Sequence, residues 1–327
     1  MNKQKNREDF APILSLITSA NDVLLCTHLA PDGDALGSML ALGSLVRRMG
    51  KQVTMICHDI VPGYLGFLPG REDILLPAQV EGIQFDLALS IDASDLMRLG
   101  ESAAAFRQAR VCAQMDHHKT NEGFADHNLV LDDLPASGSI VLRMMEAADL
   151  AVTREEAVCL YTAITTDTGN LCFGSVSDET FEQIASLMRA GLPLADTARR
   201  LHLMRDKEHV LMLGRALRSL EFLLDGRLTM MTLTREDYLQ SGADISHTDK
   251  IVNYGLYMPG VEMACLAHEM DDGIKFSLRS IEPRQVSGLA ARFGGGGHAQ
   301  ASGCTVYAPL NEAVRLIREA ALEELSR

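Results

Sequence analysis

The triplet Asp116-His117-His118 directly follows the apolar segment 111–115 and combines two residue types that can do chemistry. Carboxylates and imidazoles bind divalent metals, and both can exchange protons with a substrate. A second group of the same residue types follows another apolar segment, 23–27. Its members are His28, Asp32 and Asp34, with Pro31 and Gly33 forming a turn between them. Two separate segments of the chain therefore end in candidate metal ligands.

Two further carboxylates belong to this pattern. Asp92 follows the apolar segment 87–91, and Asp167 lies in Thr166-Asp167-Thr168-Gly169. An oxygen-rich ligand set with some imidazole favours Mn²⁺ or Mg²⁺ over zinc. Five or six such ligands exceed the need of one ion. Two ions about 3.5–4 Å apart that share a carboxylate would use them all, and would polarise a phosphorus ester.

The elements that must position these residues alternate between strands and helices in the first half of the chain. Apolar runs predict strands at 23–27, 53–57, 87–91, 111–115 and 129–131, and helical spacing predicts helices at 10–20, 35–49, 139–147, 154–166 and 178–191. Such alternation is typical of an α/β fold with a mostly parallel sheet flanked by helices. Ligands of these sheets bind at the carboxyl ends of the strands, where the Asp and His residues cluster.

The pattern changes in the second half. A helical stretch is predicted at about 206–224, followed by strands at 228–233, 261–269 and 274–279 and helices at 287–293 and 311–325. Asp272-Gly273 predicts a hairpin turn between the last two strands. We therefore expect three parts: a catalytic α/β domain over 1–195, a helical linker over 196–220, and a smaller α/β domain over 221–327.

Composition excludes several classes of protein. The net charge of −14 argues against a surface for long duplex DNA or for a membrane. No apolar run approaches the roughly 18 residues of a membrane span. The seven Cys form no CxxC pair, which favours reduced thiols and a cytoplasmic protein.

Four blocks of the sequence resemble the signature of the DHH phosphoesterases, a family named after the triplet at 116–118. They are His28-x₃-Asp32-Gly33-Asp34-Ala35-x-Gly37-Ser38, Ser90-Ile91-Asp92-Ala93-Ser94-Asp95-x₂-Arg98, the segment from Asp116 to Asn121, and Thr166-Asp167-Thr168-Gly169. A fifth block, Phe276–Ser280 followed by Gly294–Gly303, is similar to the C-terminal DHH-associated (DHHA1) domain. The chain length resembles that of the NrnA-like subgroup, nanoRNases that degrade short oligoribonucleotides and also dephosphorylate pAp.

The resemblance implies how the two metals are divided, which spacing alone does not. It assigns one Mn²⁺ (or Mg²⁺) to His28, Asp32 and Asp92, and the other to Asp34, Asp92, His117 and Asp167. Asp116 would then support the cluster. His118 would face the scissile phosphate, as a hydrogen-bond donor or as an acid for the leaving group.

The resemblance also implies a substrate-binding set. An arginine suits a terminal phosphate because its planar group donates two hydrogen bonds at once, and a glycine run lets backbone N–H groups approach an anion. The predicted contacts are Arg279, Ser280, Gly295, Gly296, Gly297 and His298, with Arg98 and Asn121 from the family blocks.

The sequence and the resemblance together predict a Mn²⁺-dependent phosphodiesterase or exonuclease. Its substrates would be short RNA, linear dinucleotides and pAp, and its products nucleoside monophosphates. A homodimer is compatible with this interpretation. The alternatives are a cyclic-dinucleotide phosphodiesterase, an inorganic pyrophosphatase with a related metal domain, and a sensor that binds a nucleotide without hydrolysing it.

Overall fold

A computed structural model describes residues 3–172 and 175–326, and the chain divides into two compact units, Met1–Met204 and Arg205–Arg327. The domain bounds predicted at 195 and 221 stay a prediction. Among the described residues, no helix is both long and apolar enough to cross a membrane.

The first unit alternates strands with helices, as the sequence predicts. Its strands are β1 (Asp22–Cys26), β2 (Gln52–Ile56), β3 (Ile74–Leu75), β4 (Leu87–Ile91), β5 (Val111–Asp116) and β6 (His127–Val130). Its helices are α1 (Lys3–Ser19), α2 (Gly33–Arg48), α3 (Ser102–Gln108), α4 (Ser137–Ala147), α5 (Arg154–Asp167), α6 (Asp178–Arg189) and α7 (Leu194–Ala198).

The six strands form one parallel sheet in the order β3-β2-β1-β4-β5-β6. The chain builds outward from β1 to β3, then returns to place β4 beside β1 and builds the other way. The strand order therefore reverses between β1 and β4. In open α/β sheets the crevice at this reversal is the usual ligand site.

Alternating side chains of the strands bury both faces of the sheet. Leu25 and Leu89 pack into the core under α1, α2, α4 and α5. Leu24 and Ala88 point to the opposite face, where they pack with Phe106 of α3. A parallel sheet covered on both faces is the predicted fold class, and this prediction is confirmed.

The second unit is a mixed sheet with helices on both faces. Its strands are β7 (Glu221–Leu223), β8 (Leu228–Leu233), β9 (Met263–Met270), β10 (Gly273–Ser280), β11 (Gly296–His298) and β12 (Ala301–Val306), in the order β11-β12-β10-β9-β8-β7. Its helices are α8 (Lys207–Arg218), α9 (Arg235–Ser241), α10 (Ser287–Arg292) and α11 (Leu310–Ser326). Helices α10 and α11 pack on one face of this sheet, and α8 and α9 on the other.

One prediction for the second unit is wrong. The helical stretch expected to reach residue 224 ends at Arg218, and the chain continues as strand β7. Leu224, Asp225 and Gly226, all with positive φ, then turn the chain into β8 to form the β7–β8 hairpin. Asp225-Gly226 is a hairpin signal that should have marked this turn. In the glycine run, Gly296–His298 pairs with β12 as a short strand.

Candidate active site

The connection from β1 to α2 holds three of the predicted ligands in a fixed turn. Asp32 caps α2, and its Oδ1 accepts hydrogen bonds of 3.0 Å from the backbone N–H groups of Asp34 and Ala35. His28 lies before the turn and is buried, with its Nδ1 2.8 Å from the carbonyl oxygen of Leu29. A hydrogen bond to this carbonyl oxygen requires the proton on Nδ1, so Nε2 is the ring nitrogen that can bind a metal.

Asp34 is fully buried and anchored by the start of α4. Its Oδ2 accepts from the backbone N–H of Ser137 at 2.6 Å. Its Oδ1 accepts from the N–H of Gly138 at 2.9 Å and from the hydroxyl of Ser38 at 2.8 Å. The first N–H groups of a helix have no partner within the helix, so they offset part of the cost of burying a carboxylate.

Asp92 follows β4 and has a backbone conformation that is uncommon for a residue other than glycine. Its φ is +60°, and only 2% of its surface is exposed. The hydroxyl of Ser137 donates to its Oδ1 at 3.0 Å. Left-handed conformations of this kind are unfavourable and cluster at functional sites, where the surrounding structure enforces them.

The structure brings all six predicted metal ligands together. In each of three groups the possible donor atoms lie within 4.8 Å of one another. The groups are His28, Asp32 and Asp92; Asp34, His117 and Asp167; and Asp92, His117 and His118. Asp92 belongs to the group with His28 and Asp32 and also to the group with His117, and His117 in turn belongs to the group with Asp34 and Asp167. Asp92 therefore lies where a carboxylate could be shared by two ions.

His117 supplies the observation that best tests whether a cation fits here. Its Nε2 is buried and has no hydrogen-bond partner among the described residues. Oxygens of Asp167, Asp92 and Asp34 nevertheless lie 3.1, 3.6 and 3.7 Å away. Asp167 is close enough for a hydrogen bond but is not aligned for one. A buried imidazole nitrogen among three carboxylates fits a divalent metal well.

The electrostatics of the cluster point the same way. Burial raises the pKa of Asp34 well above its usual value, and the charges of Asp92 and Asp167 raise it further. Burial alone would lower the pKa of His117, but the neighbouring carboxylates outweigh it and raise that pKa. Carboxylates packed this closely repel one another, and a divalent cation between them would remove the repulsion.

Asp116 and His118 form a separate pair beside the ligands. His118 Nδ1 lies 2.8 Å from Asp116 Oδ1, and this hydrogen bond raises the pKa of His118. Burial alone would raise the pKa of Asp116, but the hydrogen bonds from His118 and Asn121 outweigh it and lower that pKa. Both carboxylate oxygens of Asp116 therefore accept hydrogen bonds from His118 and Asn121, and Asp116 belongs to none of the three candidate ligand groups.

Asn121 and Arg98, two of the predicted substrate contacts, lie in the first unit, beside the candidate metal-binding residues. The Nδ2 of Asn121 lies within hydrogen-bond distance of Asp116, Gln114 and the carbonyl of Ala93, so its amide supports the site. Arg98 places its guanidinium 3.2 Å from His28 Nδ1 and is partly exposed at the edge of the cluster.

In the second unit, Arg279 is held in a partly buried position on β10. Its guanidinium donates at 2.9 Å to the carbonyl of Leu278. Arg279 forms no close ion pair with any residue that the structure describes. Ser280, its neighbour, points to the opposite face of the strand, is buried, and donates to the carbonyl of Arg284. Strand alternation therefore separates Ser280 from Arg279.

Two glycines of the run, Gly295 and Gly297, lie where a side chain would clash with the neighbouring backbone. A Cβ on Gly295 would lie 2.1 Å from the carbonyl oxygen of Gly303, and one on Gly297 would lie 2.6 Å from that of Ala301. Gly296 has open space around it. The strand that contains Gly296, Gly297 and His298 is the outer strand of the sheet. The predicted role of the His298 side chain lies outside what the structure describes.

Family models match both units. The model of the DHH family N-terminal domain matches residues 22–164, and the model of the DHHA1 domain matches residues 230–327. The chain belongs to the DHH/DHHA1 family.

Relatives of this DHH/DHHA1 chain match it over nearly its whole length. It is 29% identical to the bifunctional oligoribonuclease and PAP phosphatase NrnA of Thermus thermophilus, over 93% of this chain and 90% of the relative. The protein of the same name from Bacillus subtilis is 21% identical over 94% of this chain and 96% of the relative. A crystal structure of an exopolyphosphatase-related protein from Bacteroides fragilis superimposes with a TM-score of 0.91 at 26% identity, covering 97% of this chain and 96% of that chain.

Sequence reasoning missed the residues that support the ligands of the DHH domain. Ser137 and Gly138 hold Asp34, and Gln114 contacts Asn121. The start of α4 was predicted at residue 139, two residues late. The N–H groups of Ser137 and Gly138 were therefore not recognised as helix-start donors for Asp34. Gln114 offered a usable signal, because an amide in the middle of a buried strand needs hydrogen-bond partners.

Proposed function

We propose that this protein hydrolyses phosphodiester bonds in short oligoribonucleotides and linear dinucleotides to nucleoside monophosphates, and removes the phosphate of pAp. The observation that carries the proposal is the buried Nε2 of His117, which has no hydrogen-bond partner among the described residues and lies among three carboxylates. The NrnA relatives, named as oligoribonucleases and PAP phosphatases, support the choice of substrate.

The metal-binding residues would be divided between two Mn²⁺ ions, with Mg²⁺ as the alternative. His28, Asp32 and Asp92 would hold one ion, and Asp34, Asp92, His117 and Asp167 the other. When bound, the two ions would polarise the phosphorus ester and lower the pKa of water enough to make it a nucleophile. The mixed oxygen and imidazole donors suit Mn²⁺.

His118 would serve the leaving group. The hydrogen bond to Asp116 occupies Nδ1, so Nε2 is the ring atom that can meet the substrate. As the bond from phosphorus to the leaving ribose oxygen breaks, Nε2–H donates its proton to that oxygen and the imidazole becomes neutral. The hydrogen bond to Asp116 raises the pKa of His118, which favours the protonated form that this step requires.

Arg279 would bind a second phosphate of the substrate. A partly buried guanidinium that forms no close ion pair with a described residue is suited to a phosphate, which it can contact through two parallel hydrogen bonds. A contact to a terminal phosphate would favour substrates that carry one, such as pApA, pGpG and pAp. Ser280 and Asn121, whose polar groups are used internally, are not part of this proposal.

A turnover panel tests the proposal. The purified protein with Mn²⁺ is given pApA, pGpG, pAp, RNA of two to five nucleotides, a long RNA, a cyclic dinucleotide and pyrophosphate. We expect fastest hydrolysis of the linear dinucleotides and shortest RNAs, and none by the His117→Ala variant. Preference for the cyclic dinucleotide or for pyrophosphate would replace the proposal, and tight binding without turnover would favour a sensor.

The role of Arg279 has its own test. Arg279→Ala should raise the KM for pApA by about tenfold or more while changing kcat little, because a phosphate contact away from the reacting atoms contributes uniform binding. Arg292→Ala is the matched control, since Arg292 is an exposed arginine of the same unit paired with Glu323. A loss of kcat with unchanged KM in the Arg279 variant would contradict a binding role.

A further inference from the structure

Gln114 is a fully buried amide in the middle of β5, two residues before Asp116. Its Nε2 donates to Asn121 Oδ1 at 2.8 Å and to Asn128 Oδ1 at 2.7 Å. A buried amide that lost these partners would be destabilising, so its position is tightly specified.

The hydrogen bonds continue from Gln114 toward the reacting groups. Asn121 Nδ2 donates to Asp116 Oδ2 at 2.6 Å, and Asp116 Oδ1 lies 2.8 Å from His118 Nδ1. Both oxygens of Asp116 are therefore fixed, one by Asn121 and one by His118. The carboxylate cannot rotate without breaking one of these bonds.

The far end of this chain of contacts is fixed by backbone groups. Asn128 Oδ1 accepts from the N–H of Ala125, and Asn128 Nδ2 donates to the carbonyl of the same residue. The N–H of Gly123 donates to Asn121 Oδ1. These contacts determine which way each amide faces, because every oxygen receives a donor and every amide nitrogen finds an acceptor.

We propose that Asn128, Gln114 and Asn121 are positioning residues, an amide chain that orients Asp116 and through it His118. This inference rests on the proposed function, since it assigns the amide chain to the delivery of the leaving-group proton. None of the three amides needs to touch the substrate or a metal. Their arrangement resembles other active sites in which a general acid or base is held by a buried carboxylate that is itself held.

The amide chain should act on kcat and on substrates with poor leaving groups. Gln114→Met keeps the size of the side chain and removes both donors, and we expect it to lower kcat for pApA about tenfold with little change in KM. Asn128→Ala, at the exposed end, should lower kcat by a smaller factor. Hydrolysis of the p-nitrophenyl ester of thymidine monophosphate should change little, because p-nitrophenolate leaves without a proton.

Two comparisons separate this role from general damage. His127→Ala is the matched control, because His127 is exposed on the same strand as Asn128, and it should behave as wild type. In a His118→Ala background, Gln114→Met should cost less than about twofold further in kcat, because the group it positions is gone.

A readout independent of turnover completes the test. In the metal-free protein, the downfield proton NMR signal of His118 Nδ1–H should be present in wild type and shifted or lost in Gln114→Met and Asn128→Ala. Unchanged signals, or additive losses in the double variant, would overturn the inference. An inactive wild-type protein would instead refute the proposed function and leave the NMR result to decide the positioning role.

Discussion

At the residue scale, the neighbouring side chains His117 and His118 have different surroundings, and we propose that they have different tasks. His117 turns an unpartnered nitrogen toward three carboxylates, while His118 is tied to a carboxylate that takes no part in the ligand groups. Consecutive residues after a strand point in different directions, so one triplet could serve both a metal and a substrate, as we propose. The sequence indicated which six Asp and His residues lie close together, because each lies at or near the end of an element.

Mn²⁺ binding should release protons and weaken as the pH falls. The pKa values of His28, His117 and Asp34 are raised in the metal-free protein, so these groups are more often protonated at a given pH and must lose protons to bind a metal. Affinity should fall by about tenfold per pH unit for each proton displaced. Isothermal titration calorimetry at pH 8 and pH 6, in two buffers with different ionisation enthalpies, measures this. Identical heats in the two buffers would show that no proton is released.

At the element scale, the close approach of helices delivers backbone N–H groups to the ligands. Helix α4 can reach Asp34 because Gly138 lets it pack tightly on α5: a Cβ there would lie 2.5 Å from the Cβ of Ala163. Gly37 on α2 is equally constrained, since a Cβ would lie 2.4 Å from the carbonyl of Cys159. Such contacts depend on which helices pack against each other, and a local sequence pattern does not predict which helices those are.

The same substitution in two helices should have opposite effects. Gly138→Ala should destabilise the protein by about 1–3 kcal/mol through overpacking, and should weaken Mn²⁺ binding by moving α4 away from Asp34. Gly214→Ala should stabilise it by about 0.5–1 kcal/mol, because Gly214 lies within α8 with open space around it. Chemical denaturation and calorimetric titration with Mn²⁺ measure both. Equal effects on stability in the two variants would contradict the packing account.

At the scale of the whole molecule, regular strands were easier to predict from the sequence than the turns and the hydrogen bonds between separate segments. Strands β4 and β8 occur at the predicted residues, because apolar runs bounded by polar turns leave little choice. The β7–β8 hairpin was missed because a helical pattern ran into a turn. The partners of Gln114 were missed because hydrogen bonds between separate segments depend on the register of β5 against β6.

We propose that this fold holds two metal ions through one shared carboxylate. Anomalous diffraction at the manganese absorption edge, on crystals grown with Mn²⁺, tests it directly. We predict two peaks, one bound by His28 and Asp32, the other by Asp34, His117 and Asp167, with Asp92 bound to both. A single peak, or two peaks that do not share Asp92, would contradict the account.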